Sequence, residues 1–119
     1  MSNDYDNRAS TYGFANANEI KAAVAVESAV ILDVRGQDEI KVAGKWETSR
    51  KWLQTPCTPD ECPILSATSD VLLPNKDAPV IVYCKSGRRA WRAQQILQQK
   101  GYRRVLNAGG LEDLKRMQL

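Results

Sequence analysis

Between Pro79 and Gly101 the hydrophobic pattern changes period once, and the change falls on a cysteine. Val80-Ile81-Val82-Tyr83 is an unbroken run of β-branched and aromatic residues, as in a strand buried on both faces, and Pro79 marks its start. From Arg89 onward Ala90, Ala93, Ile96 and Leu97 recur at helical spacing, Arg92, Gln94, Gln95 and Gln98 fill the opposite face, and Gly101 terminates the helix. Cys84 therefore stands at a strand's carboxyl end, facing a helix amino terminus across a short loop. The flanking chain predicts further elements. Residues 1–15 read as a loose or extended arm, and Asn18 as the cap of a helix from Glu19 to about Glu27 with Ile20, Ala23, Val24 and Ala25 apolar. Ala29 to Val34 reads as a buried strand and Gln37 to Val42 as a short helix. Residues 44–78 hold most of the prolines and few periodic stretches, which predicts a long irregular loop with a short helix through Ser49 to Gln54. Arg104 to Leu106 predicts a third strand, Asn107 to Gly110 a turn, and Leu111 to Met117 a final helix.

Strands alternating with helices predict an α/β fold, with a mostly parallel central sheet and helices on both faces. Ligands of such sheets bind beyond the carboxyl ends of the strands, where Cys84 and Asp33-Val34-Arg35 both fall. The 119 residues suffice for one domain with a real core, here taken as residues 16–119. A composition of 43% hydrophobic and 26% charged residues is that of a soluble globular protein. No apolar run approaches the length a bilayer requires, so no membrane partner is expected. The polar opening MSNDYDNRASTY lacks the apolar stretch of a secretory signal, and the cytoplasm is the expected compartment.

The net charge of +3 is mild, and its placement matters more than its size. Lys85, Arg88, Arg89 and Arg92 surround the loop after Cys84 with no acidic residue among them. Trp46, Trp52 and Trp91 do not interleave with the cations as a nucleic-acid stacking platform would, so no nucleic-acid partner is expected. A loop entering a helix start aims unpaired N–H groups and the positive helix end at its hollow, which favours an anion and a thiolate. The chain has no histidine. That removes Cys–His and Ser–His–Asp machinery and every His-containing metal site, so Cys84 must be activated electrostatically, and neither metal nor cofactor is expected. Cys57 and Cys62 enclose four residues, neither the spacing of a thioredoxin-like pair nor a complete zinc knuckle. With an odd cysteine count the simpler reading is two loop thiols in a reducing compartment, with a disulfide or redox pair as the alternative. Trp46 and Trp52 are expected to cap the core.

These pieces resemble the single-domain rhodaneses, a family of sulfurtransferases. The matching residues are Leu32-Asp33-Val34-Arg35 with Glu39 and Gly44, Val82-Tyr83-Cys84-Lys85-Ser86-Gly87-Arg88-Arg89, Lys100-Gly101-Tyr102, and Val105-Leu106-Asn107-Ala108-Gly109-Gly110. The resemblance implies the three-layer rhodanese fold and Cys84 as the nucleophile that carries sulfur as a persulfide. Lys85, Ser86, Gly87, Arg88, Arg89 and Ala90 would form the substrate loop, with backbone N–H groups holding the sulfur's charge. Asp33 and Arg35 would brace that loop. The implied partners are a small anionic donor such as thiosulfate, a thiol or cyanide acceptor, and a possible protein acceptor. Phosphatase and arsenate reductase relatives place an arginine six positions after the cysteine, where this chain has Ala90, so oxyanion chemistry is disfavoured. The main alternative is a sulfur-carrier or regulatory module that docks a partner protein. The chain departs from the family at Lys45-Trp46-Glu47-Thr48-Ser49, where members usually continue His-Ile-Pro-Gly-Ala into another strand, and at Leu114, where an aromatic is common.

Overall fold

Every side chain of Val80–Cys84 is buried, which makes this strand the axis of the fold. A computed structural model describes residues 4–119. Within it the elements run α1 (Asp4–Tyr12), α2 (Ala17–Val24), β1 (Val30–Asp33), α3 (Gln37–Ala43) and β2 (Lys51–Gln54). They continue with α4 (Pro63–Leu72), β3 (Val80–Cys84), α5 (Arg88–Gln99), β4 (Val105–Gly110) and α6 (Leu111–Met117). The four described strands form a parallel sheet in the order β2-β1-β3-β4. Val30 stands opposite both Lys51 and Val80, so the strands end nearly in line. The α/β sheet expected from the sequence is therefore present.

Alternation along the strands divides the core in two. Leu32, Val80 and Val82 pack with Leu65 of α4 and Ala93 and Leu97 of α5. Ile31, Ile81 and Tyr83 pack on the other face with Ile20 and Ala23 of α2 and Leu111 and Leu114 of α6. Trp46 and Trp52 pack against this second cluster as capping residues. Among the described residues no helix is long and apolar enough to cross a membrane.

Several local expectations are corrected. Residues 4–12 are helical rather than a loose arm, held by packing that lies far away in sequence, while residues 1–3 of that arm lie outside the described residues. The cap of α2 is Asn16, not Asn18. Its side-chain oxygen accepts from Glu19 N–H at 2.8 Å and Glu19 accepts from Asn16 N–H at 2.9 Å, a reciprocal pair that outcompetes a cap two residues later. Residues 51–54 form a strand rather than a helix, because the exposed edge of β1 supplies backbone partners that local propensity cannot reveal. The stretch 44–78 accordingly holds β2 and the helix α4, which opens on Pro63 and buries Leu65 and Ser69. Asn107–Gly110 is a continuation of β4, not a turn, with Gly110 beside Cys84 after a register shift.

Candidate active site

Cys84 is fully buried at the end of β3, and the loop behind it turns back so that Gly87 N–H donates to its Sγ at 3.0 Å. That turn requires glycine. Gly87 has φ +94°, and a side chain there would strike the ring of Phe14. The loop's carbonyls meanwhile point outward to partners. Ser86 O accepts from Arg8 Nη1 at 2.9 Å, and Gly87 O from Asn107 Nδ2 at 2.9 Å. Lys85 O packs against Gly110, where a Cβ would overlap it. With the carbonyls held outside, the N–H at Gly87 is left for the sulfur. Ser86 itself is exposed, and the donor to Sγ is the backbone amide of Gly87.

Arg89, on the first turn of α5, forms a two-pronged ion pair with Glu39 of α3 at 2.6 and 2.8 Å. The Glu39 bonds raise the Arg89 pKa, against the opposing effect of burial, and the Cys84 sulfur adds to the rise. In return Arg89, together with Gly36 N–H, holds the Glu39 carboxyl down at about 2 despite partial burial. Arg89 is thus fixed next to Cys84, with part of its charge engaged by Glu39. Ala90 is buried in the core behind the loop, whereas Lys85 and Arg88 are exposed at its rim.

Asp33 and Arg35 form a buried ion pair at the end of β1, and Arg35 lines the same cleft as Lys85 of the loop. Arg35 Nε and Nη2 grip the two Asp33 oxygens at 2.9 and 2.7 Å, and Nη2 also donates to Gly44 O at 2.8 Å. Burial works against the Arg35 charge, but Asp33 outweighs it and leaves the guanidinium pKa raised. Tyr83 Oη donates to Asp33 at 2.8 Å, which joins the pair to β3 one residue before Cys84. A cleft of about 440 Å³ opens here, lined by Arg35, Glu39, Val42, Lys85, Leu111 and Glu112. A second cleft, about 490 Å³, lies around Cys62, Arg92 and Lys100 on the α4–α5 side and includes none of the loop's first residues.

Cys57 and Cys62 are joined in a disulfide, which corrects the reading of two loop thiols. A turn in which Thr58 and Glu61 bond through both backbone and side chain brings the two cysteines together. Because these cysteines are not free, the inference from cysteine count to a reducing compartment loses its premise. Cys84 remains the free thiol. Sequence reasoning missed Arg8, Phe14, Asn107 and Asp113, whose partners in the loop or at its border are mostly distant in the chain.

A profile of the rhodanese-like domain matches residues 16–117. The chain belongs to the rhodanese family. Relatives of this rhodanese include the thiosulfate sulfurtransferase PspE of Escherichia coli K12, 48% identical over 42 residues, or 35% of this chain and 40% of PspE. A sulfurtransferase of Allochromatium vinosum is 51% identical over 35 residues, or 29% of this chain and 33% of that protein. The matched stretches thus span well under half the length of these curated relatives. The solved structure of a rhodanese with anions from Escherichia coli superposes with a TM-score of 0.55 at 30% identity, covering 71% of this chain and 89% of that one. The polysulfide-sulfur transferase homodimer of Wolinella succinogenes shares the fold, with a TM-score of 0.67 at 21% identity over 98% of this chain and 88% of its own.

Proposed function

We propose that this rhodanese is a sulfurtransferase that carries sulfane sulfur as a persulfide on Cys84. The observation that carries this reading is the Gly87 N–H aimed at the buried Sγ from a loop whose carbonyls are turned away. The Cys84 thiolate attacks the outer sulfur of thiosulfate. A bond forms between Sγ and that sulfur, the sulfur–sulfur bond of the donor breaks, and its electron pair leaves with sulfite. One negative charge then rests on the terminal persulfide sulfur, beside the inward-facing Gly87 amide, as an oxyanion rests in its hole. An acceptor thiolate or cyanide takes the outer sulfur and returns the electron pair to Cys84. Lys85 and Arg88, exposed at the rim, draw in the dianionic donor, and Arg89 faces the departing sulfite from its anchored position on Glu39. Asp33 and Arg35 keep the ends of β1 and β3 in register beneath the loop. Val42, 90% exposed on the cleft's lip, offers an apolar contact to an acceptor carried on another protein.

Intact-protein mass spectrometry after incubation with thiosulfate tests the reading. One added sulfur atom should appear, should map to Cys84, and should be discharged by cyanide as thiocyanate. Cys84→Ser should take up none. Sulfur found on Cys57 or Cys62, or turnover surviving the serine substitution, would reject this mechanism. Persulfide formation without turnover on small acceptors would favour the carrier reading.

A further inference from the structure

The Ser86–Gly87 peptide is held at both ends by charged or reactive groups. Its oxygen accepts from Arg8 Nη1 at 2.9 Å, and its N–H donates to Cys84 Sγ at 3.0 Å. The peptide is trans, so its C=O and N–H point in opposite directions, and fixing one aims the other. The glycine that permits this turn also leaves the peptide free to flip, because glycine tolerates either sign of φ. Something outside the loop must therefore select the orientation. Arg8 does so from α1, 78 residues away in sequence. Its own placement is rigid. Nη1 and Nη2 bond the two oxygens of the buried Asp113 at 2.8 and 2.9 Å, and Asp113 is itself fixed by Gly110 N–H at 2.8 Å. The Asp113 pair and the packing of Tyr5 on Phe14 and Tyr12 on Trp91 also hold α1, so the contact to the loop is additional to those that dock the helix.

We infer that Arg8 is a positioning residue for Cys84, acting through the Ser86–Gly87 peptide. A guanidinium on the carbonyl oxygen polarises the peptide and strengthens the N–H at its other end. A thiolate accepts a hydrogen bond better than a thiol does, so the N–H is aimed to serve the sulfur in its attacking form. The inference rests on Cys84 being the nucleophile proposed above.

The test is the pH dependence of Cys84 alkylation by iodoacetamide. With Cys57 and Cys62 joined, the reaction reports on Cys84 alone. In Arg8→Ala the midpoint should rise by about one pH unit, and sulfur uptake from thiosulfate near neutral pH should slow about tenfold. The alkylation rate should approach that of the wild type once pH exceeds both midpoints. Arg8→Lys keeps the charge but cannot span Asp113 and Ser86 together, so its midpoint should rise by less; it decides the matter if the alanine variant does not fold. Asp4→Ala removes only the exposed Nε contact and should leave the midpoint in place. A merely structural Arg8 would lower the thermal midpoint without moving the titration. An unmoved titration in either folded Arg8 variant overturns the inference. Wild-type protein that takes up no sulfur would instead refute the nucleophile reading, while the alkylation titration still judges Arg8.

Discussion

Tyr83 joins three segments with one hydroxyl: it donates to Asp33 and accepts from Trp46 N–H at 3.1 Å and Trp52 Nε1 at 3.3 Å. Burial first, and Asp33 after it, hold its pKa above the ordinary value, so it stays protonated and able to donate. Tyr83→Phe removes the acceptor of two donors and leaves Asp33 Oδ2 with Arg35 alone, and should lower stability by about 1–3 kcal/mol in urea titration. Gly87→Ala should be worse placed still. The backbone there is left-handed and the Phe14 ring occupies the space, so a loss of at least about 2 kcal/mol and slowed sulfur uptake are expected together. Glu39 gives a pH signature. Its folded pKa of about 2 lies below the ordinary 4.5, so the stability it contributes is complete above that value and is lost as pH falls toward 2. The side chain is 35% exposed, so solvent screens the effect. Glu39→Gln should flatten that part of the acid limb of the stability curve; an unchanged limb would show that other carboxylates govern it.

At the level of elements, the sequence revealed what local pattern determines. The β3 run, the amphipathic α5 and the glycine stop at Gly101 are written in consecutive residues, and each is present. What could not be read depends on partners remote in sequence. Lys51–Gln54 has no strand signature of its own and is extended because β1 offers an edge. Asn107–Gly110 carries turn residues, yet Asn107 is buried with its amide donating to Gly87 O and Tyr12 O, which holds the segment in the sheet. The same division holds at the site: Cys84 and Arg89 were legible from the loop, whereas Glu39 as the partner of Arg89, and Arg8 as the partner of Ser86, were not. The Cys57–Cys62 disulfide was legible only as the alternative to two loop thiols, since its closure depends on a turn between Thr58 and Glu61. Closing so short a loop restricts the unfolded chain only modestly, and opening it should cost about 2 kcal/mol. A reductant should therefore shift the urea midpoint while leaving the fold intact; complete unfolding on reduction would contradict this.

Across the whole molecule, the proposed chemistry lies beyond the carboxyl end of β3. Lys85 and Arg88 are exposed there on a chain of net charge +3. Raising salt from about 20 to about 500 mM should depress kcat/KM for dianionic thiosulfate by several-fold, and for a neutral acceptor much less, as screening removes the long-range attraction. Equal sensitivity for both would place the cations outside the path of the donor. The fastening of the loop has a consequence for synthesis. Arg8 belongs to the first described helix and Asp113 to the last, while the cysteine they secure lies between them. During translation the segment carrying Cys84 leaves the ribosome before its clasp can shut, because Asp113 emerges only after all of α5 and β4. A product that terminates before Asp113 is therefore left with the loop around Cys84 unclasped.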